Sequence, residues 1–165
     1  MNPLGRRQVA CNESSRDQWE GFREHRTRLT EALVVGSSDA SRLCVLGAGN
    51  CNDLDLAILL AAHREVHLVD LDASALAAGA ARQGVHGHPR LRLHDRLDVT
   101  AALDVLAGWN PSSRIERSEL DALRDWPAPR FAPTLPGRFE VVASTCLLSQ
   151  ILETAAHALG PDHPQ

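Results

Sequence analysis

The chain has 165 residues, 44% of them hydrophobic, and a formal net charge of −4 at pH 7. This length and apolar content suffice for one domain with its own core, and the negative balance excludes a global attraction to nucleic acid or anionic membrane. The chain contains no lysine and no tyrosine. Their absence excludes pyridoxal Schiff bases, phosphate-loop and kinase lysines, and the tyrosine-lysine pair of short-chain dehydrogenases.

Targeting signals and cysteine usage both favour a cytoplasmic protein. No apolar stretch is long enough to span a bilayer, and residues 1–15 lack the apolar core of a signal peptide. The four cysteines, Cys11, Cys44, Cys51 and Cys146, are neither closely paired nor dense. Reduced thiols are therefore expected, and neither a membrane nor a nucleic acid is predicted as a partner.

The amino-terminal part of the chain predicts a flexible arm followed by a helix. Residues 1–14 are polar and without period, so we expect them to form a loose arm. Ser15 and Gln18 make a capping-box pattern, from which an amphipathic helix is expected to run to about Gly36. Its stripe consists of Trp19, Phe22, Arg26, Leu29 and Leu33.

Strands and helices then alternate, which predicts an α/β fold with a parallel sheet. The expected strands are 43–46, 66–69, 91–94 and 139–143, and the expected helices are 53–62, 73–83, 101–109 and 147–159. Continuous apolar runs at Cys44–Leu46 and Val141–Ala143 predict the centre of the sheet. The predicted architecture is a three-layer, doubly wound sheet of strand order 3-2-1-4, in a single domain over residues 15–165.

Residues 110–137 form a proline-rich insertion with one short helical stretch at 118–126. The insertion follows a helix and precedes a strand, so it should begin and end at the sheet edge opposite the glycine turn. This position favours a packing or partner-contacting role over that of an active-site lid.

A glycine turn and an acid stand at the ends of the first two strands. Gly47 and Gly49 let the backbone turn sharply and approach a ligand, and Asp70 ends the next strand. An acid there can accept both hydroxyls of a ribose, and Asp98, after the third strand, can accept the exocyclic amine of adenine. The fold itself gives little reason for an acidic residue at the end of an apolar strand. We therefore expect Asp70→Ala to weaken nucleoside binding and to leave the melting temperature nearly unchanged.

These motifs resemble those of the class I S-adenosylmethionine-dependent methyltransferases. The likeness covers residues 40–159 and rests on Val45–Asp53, Asp70, Asp98 and Phe139–Cys146. It implies S-adenosylmethionine as cofactor, S-adenosylhomocysteine as product and a Rossmann-like domain. The cofactor-binding residues it implies are Gly47, Ala48, Gly49, Asn50, Asp70, Leu71, Asp98, Val99, Ser144, Thr145 and Cys146, with His25 or Arg26 of the amino-terminal helix near the methionine carboxylate.

The function predicted is methyl transfer to an acceptor that the sequence does not identify. The fourth-strand motif lacks an Asn-Pro-Pro-Tyr type of sequence, which favours a small-molecule acceptor, and no catalytic residue can be named. One alternative is a binding or scaffold protein of the same fold without turnover. A second alternative is a dinucleotide-dependent oxidoreductase. Two residues argue against it: Asn52 occupies the position where the dinucleotide-binding motif has a third glycine, and Asp53 would repel a pyrophosphate.

Two further expectations concern metals and the sheet edge. The histidines His63, His67, His86, His88 and His94 lack the spacing of a metal site, so none is predicted. The family fold continues for about three more strands, so the fourth strand should be an unpaired apolar edge. The chain is then either the amino-terminal, cofactor-binding half of a longer enzyme, or a homo-oligomer that pairs through this edge.

Overall fold

The computed structural model describes residues 1–125, 134–145, 147–160 and 162–163. The helices are Pro3–Ser15 (α1), Arg23–Val34 (α2), Leu56–Ala62 (α3), Ala73–Arg82 (α4), Leu103–Leu106 (α5), Arg117–Asp125 (α6) and Leu147–Leu159 (α7). The strands are Arg42–Leu46 (β1), Glu65–Val69 (β2), Leu91–His94 (β3) and Val141–Ser144 (β4). In the described part of the chain, no helix is long and apolar enough to cross a membrane.

The four strands form one parallel sheet of order β3-β2-β1-β4, which confirms the predicted fold class. Val45 at the middle of β1 lies level with Leu68 in β2 and Ala143 in β4. The chain moves outward from β1 to β3 and then crosses to the other side of β1 to form β4. Right-handed crossovers therefore place α3, which connects β1 to β2, and α4, which connects β2 to β3, on the same face of the sheet. The strand order reverses between β1 and β4, where ligands bind in sheets of this type.

The main core lies on the face covered by α2, α3 and α4. Alternate residues of β1 and β2 point to this face because side chains of a strand alternate in direction. The cluster contains Leu33, Leu43, Val45, Leu54, Leu56, Leu59, Leu60, Val66, Leu68, Leu76, Ala80 and Leu91. A second, smaller cluster joins α1, α5, α6 and α7 around Leu4, Ala102 and Leu106. The main core thus covers one face of the sheet, and a separate helical group lies beside its carboxyl edge.

The expected loose arm is wrong, because residues 3–15 form α1. The Asn2 side chain caps the helix by accepting a hydrogen bond from the Gly5 N–H at 2.8 Å, and Pro3 takes the first helical position, where its missing N–H is harmless. Leu4 is buried against α5 and the rest of the second cluster. The helix was missed because its exposed face and most of its buried face are polar, so it carries no apolar stripe.

The boundary between the first two helices also differs from the prediction. The helix α2 begins at Arg23 rather than at Ser15. Ser15 ends α1 instead, and its hydroxyl donates to the Cys11 carbonyl oxygen at 3.2 Å. The predicted capping box therefore lies at the carboxyl end of a helix. A serine hydroxyl can donate to a carbonyl oxygen of the preceding turn as readily as it can accept from a free N–H.

The strand β4 is an edge and not part of the sheet centre. Within the described residues it pairs with β1 alone, and the side chain of Val142 is 59% exposed. The predicted unpaired edge is confirmed, whereas the expectation that Val141–Ala143 is covered on both sides is wrong. Apolar composition alone could not distinguish the two cases, because a central strand and an uncovered edge strand can have the same apolar sequence pattern.

Several helices are shorter than predicted. The helix expected over 53–62 begins at Leu56, with Asp55 as its cap, and the one expected over 101–109 shortens to α5. The helical stretch expected within the proline-rich insertion is present as α6, although its last residue, Trp126, and residues 127–133 lie outside the described part of the chain. The role of the insertion stays a prediction.

Candidate functional site

The glycine turn after β1 has the conformation that its sequence requires. Gly47 and Gly49 adopt φ values of +75° and +48°, in the left-handed region that glycine adopts without strain. A Cβ on Gly47 would lie 3.0 Å from the carbonyl oxygen of Thr145, so a side chain there would also be crowded. The Gly47 N–H donates to the Val69 carbonyl oxygen at 2.9 Å, which ties the turn to the end of β2.

The Asp70 carboxylate holds this turn and the next loop together. Its Oδ2 accepts a hydrogen bond from the Gly49 N–H at 2.8 Å, and its Oδ1 accepts one from the Asp72 N–H at 2.9 Å. Burial raises the pKa of Asp70, and these two hydrogen bonds oppose the rise because they favour the charged form. The acid therefore has a structural role that the sequence did not reveal.

Asp98 occupies the equivalent place after β3. Its Oδ1 accepts from the Thr100 N–H at 2.9 Å and from the Thr100 hydroxyl at 2.6 Å, and its Oδ2 accepts from the Leu103 N–H at 3.0 Å. A carboxylate offers about four acceptor positions, so one remains on Oδ2. The neighbouring Asp95 is exposed and does not line the cleft, which leaves Asp98 as the acid on this side.

The ends of the strands line a small cleft that is open to solvent. Five predicted residues meet there: Gly47, Asp70, Leu71, Asp98 and Val99. The other lining residues are Gln8, Asn12, Leu97, Thr100, Leu103, Leu106, Leu147, Gln150, Ile151 and Thr154. The cleft thus combines two carboxylates with an apolar wall, and among the described residues lining it there is no arginine.

Other residues of the predicted set lie beside the cleft rather than in its wall. Ala48 and Asn50 are buried beneath the turn. Gly49 does not line the cleft, but its N–H donates to the Asp70 carboxylate, which does. The Thr145 hydroxyl donates to the Gly47 carbonyl oxygen at 3.0 Å, so this residue supports the turn from the β4 side. Ser144 is exposed, and Cys146 lies outside the described residues.

The prediction for the amino-terminal helix is corrected by the structure. His25 is exposed, makes an edge contact with Phe22 and does not line the cleft. Arg26 is buried, but its guanidinium donates to the carbonyl oxygens of Trp19 and Asn52 at 2.8 and 2.7 Å. It therefore fixes the loop behind the glycine turn and does not line the cleft.

Two groups of cleft residues were missed. Gln8 and Asn12 come from α1. The sequence signal for this helix was its amino-terminal start, with Asn2 as cap and Pro3 as first residue. Leu147, Gln150, Ile151 and Thr154 come from α7, at the i, i+3, i+4, i+7 spacing of one helix face. This face could have been recognised from the sequence, because α7 was predicted with its observed bounds.

The buried histidines make contacts within the fold. His63 lies within 2.8 Å of the Ser41 hydroxyl and 3.2 Å of the Leu33 carbonyl oxygen, and Nδ1 of His67 lies 2.8 Å from Nε2 of His94. Burial lowers the pKa of all three rings. No group of three or more potential metal-ligating side chains occurs in the part of the chain that the structure describes.

No family model matches this chain, and no curated protein matches it. Among solved structures it is similar to a candidate methyltransferase from Streptococcus mutans in complex with SAH, at 14% identity and a TM-score of 0.38, over 63% of this chain and 64% of that one. It is also similar to an rRNA methylase from Streptococcus thermophilus, at 17% identity and a TM-score of 0.40, over 76% and 75% of the two chains. The chain therefore spans just under two thirds of the first structure's length, and similarity at this level assigns no activity.

Proposed function

We propose that the cleft binds the adenosine part of S-adenosylmethionine and that the protein is a methyltransferase acting on a small molecule. One observation carries the proposal. The carboxylate of Asp70, fixed by two backbone N–H groups, opens onto the same cleft as the Gly47 turn and Asp98, at the carboxyl ends of three adjacent parallel strands.

The residues present fit such a cofactor chemically. Leucine and valine side chains such as Leu71 and Val99 offer apolar surface for a purine, and Asp98 retains an acceptor position for its amine. Asp70 can accept ribose hydroxyls with the positions that its backbone partners leave. The two carboxylates complement a positively charged sulfonium, and the described wall has no cation to attract a phosphate.

A dinucleotide fits this site less well. Its pyrophosphate would approach the start of α3, where Asp55 accepts the Ile58 N–H at 3.1 Å and so occupies the helix end. Asp53 is also buried beside this loop. Two acids at this place oppose a phosphate, whereas a methionine group carries none. The oxidoreductase alternative is disfavoured for this reason.

When bound, the cofactor would supply a methyl group on a sulfonium, a leaving group that needs little further activation. The protein's part is then to position the two reactants and to exclude water, for which the apolar wall from α5 and α7 is suited. No side chain in the described cleft is assigned as a catalytic base. The net charge of −4 supports a small-molecule acceptor rather than a nucleic acid, and the proposal includes a cytoplasmic location with reduced thiols.

The free edge of β4 supports an additional proposal about assembly. The exposed Val142 and the outer edge of this strand, which pairs with no other strand among the described residues, suit pairing with a second copy of the chain. Gel filtration with intact mass tests this proposal, which predicts a dimer or larger species. A monomer of 17.9 kDa would contradict it.

Calorimetric titration tests the ligand class. Separate titrations with S-adenosylhomocysteine and with a nicotinamide dinucleotide should show binding of the first and not of the second. Binding of the dinucleotide alone would reverse the proposal. Binding of S-adenosylhomocysteine without transfer to any acceptor in a screen with labelled S-adenosylmethionine would instead support the scaffold alternative.

A further inference from the structure

The helix α1 lies across the carboxyl edge of the sheet and contacts the elements around the cleft. The Asn50 amide, in the glycine turn, donates to the Asn12 carbonyl oxygen at 2.6 Å. The Gln8 amide donates to the Thr154 hydroxyl of α7 at 2.5 Å. At its start, the Asn2 amide donates to Asp104 of α5 at 2.7 Å. A ligand that enters the cleft from this side must therefore pass α1 or displace it.

Asn12 places its side chain on the two acids at the end of β2. Its Nδ2 lies 3.3 Å from Oδ2 of Asp72 and 3.5 Å from Oδ1 of Asp70, and both distances are long for hydrogen bonds. Its Oδ1 lies 3.0 Å from the position of a Cβ on Gly49, directly over the glycine turn. The side chain thus covers the acid and the turn at the same time.

Counting acceptor positions shows what this contact does. A carboxylate has about four acceptor positions. On Asp70, the N–H groups of Gly49 and Asp72 use two of them, and the Asn12 amide, at the longer distance of 3.5 Å, stands in front of a third, the second position on Oδ1. One position is left, whereas the two hydroxyls of a ribose need two. Withdrawal of Asn12 provides the second.

Polar contacts rather than apolar packing hold the closed arrangement of α1, and the amides of Asn50 and Asn52 also donate to the Ser15 hydroxyl and carbonyl oxygen at 3.2 and 2.7 Å. Among its described residues, only Leu4 and Gly5 are buried, and its ion pair, Arg7 to Glu153 at 2.6 Å, is largely exposed to solvent. The Asn50 side chain, whose amide holds α1, has a buried Oδ1 without a hydrogen-bond partner. An unpaired buried acceptor costs free energy in this closed arrangement. A segment with few buried apolar contacts is also the kind that opens locally.

We propose that α1 is a lid on the nucleoside site and that Asn12 is its latch, competing with one ribose hydroxyl for Asp70. This inference rests on the proposed function, because it assigns the same cleft to an adenosine ligand. In the closed state the latch lowers affinity and slows association. Binding of the nucleoside replaces the Asn12 contact and displaces the carboxyl-terminal turn of α1 from the rim.

The test compares Asn12→Ala with Glu13→Ala, a matched control on an exposed neighbouring position of the same helix. The Kd for S-adenosylhomocysteine is measured by calorimetry, the association rate by stopped-flow fluorescence, and amide hydrogen exchange of residues 3–15 by mass spectrometry. A second variant, Leu4→Ala, loosens the lid at its buried anchor without touching the rim. Melting curves verify that each variant is folded.

The latch predicts that Asn12→Ala binds about threefold to tenfold more tightly and associates faster, the range expected for removal of one competing hydrogen bond. Leu4→Ala should also associate faster, and Glu13→Ala should match the unmodified protein. Ligand should accelerate exchange in α1. Equal or weaker binding by Asn12→Ala, with the unmodified protein binding normally, would overturn the latch and leave the nucleoside site standing. No binding by any of the four proteins would overturn the proposed function, and the latch with it.

Discussion

The substitution Gly79→Ala should destabilise the protein although it improves helix propensity. Gly79 lies inside α4, where alanine is favoured over glycine by about 1 kcal/mol. A Cβ there would meet the Asn50 carbonyl oxygen at 2.5 Å and the Asn50 carbonyl carbon at 2.8 Å. These are backbone atoms of the loop that follows Gly49, and they cannot rotate away as the end of a flexible side chain could.

The size of the effect follows from these opposing contributions. Forcing a methyl group into a filled space costs about 1 to 3 kcal/mol, and Cys51, next in the loop, already has a strained φ of +54°. After subtraction of the propensity gain, the free energy of unfolding should fall by about 1 kcal/mol. Displacement of Asn50 should also shift the glycine turn and weaken S-adenosylhomocysteine binding.

Urea denaturation of Gly79→Ala and of a control, Ala81→Gly, measures both contributions. Ala81 is exposed in the same helix, so its replacement by glycine should cost only the propensity difference of about 1 kcal/mol. Gly79→Ala could instead raise the free energy of unfolding by as much as Ala81→Gly lowers it. In that case α4 would not press on the glycine turn. That result would refute the close approach on which the geometry of the site depends.

Further predictions concern the acids at the rim and the buried histidines. Asp70→Ala should lower the free energy of unfolding by about 2 kcal/mol, because it removes the acceptor of two backbone N–H groups, and an unchanged denaturation midpoint would contradict this. The same substitution should weaken nucleoside binding more than tenfold, and an unchanged affinity would contradict that expectation. Asp72→Ala removes the cap that accepts the Ser74 and Ala75 N–H groups and should cost about 1 kcal/mol in the same assay, with no loss arguing against the cap. The pKa values of His63 and His67 are lowered below 6.5 by burial, so the unfolded chain binds more protons there. Their contribution is therefore complete above pH 6.5 and is lost as the pH falls below it; melting temperatures between pH 7.5 and 5.5 should decline, and His67→Asn should flatten that decline.

The sheet could be predicted because its signals are local. Apolar runs separated by turns located β1, β2 and β3 to within a residue, and the doubly wound sheet expected from alternating strands and helices has the observed strand order. The bounds of α7 were also predicted, since Leu147 opens an apolar stripe that Gly160 stops.

The rim could be predicted only in part, because its remaining features depend on tertiary contacts. The polar helix α1 has no period to reveal where it docks, and Asn12 acquires its role only by lying over Asp70. The expectation that Asp70→Ala leaves stability unchanged is not supported, because the backbone partners of this carboxylate come from loops that the fold brings together. Likewise, His25 was assigned to the site on the assumption that α2 covers the cleft, where α1 lies instead.

The most direct test of the adenosine site is a map of backbone amide shifts in an NMR titration with S-adenosylhomocysteine. The largest changes are expected at Gly47, Leu71 and Val99, which follow three different strands and meet at the cleft. Amides at the opposite end of the sheet, such as Arg42 and Glu65, should move little. Saturable changes confined to that opposite end, or none at the three cleft residues, would contradict the adenosine site.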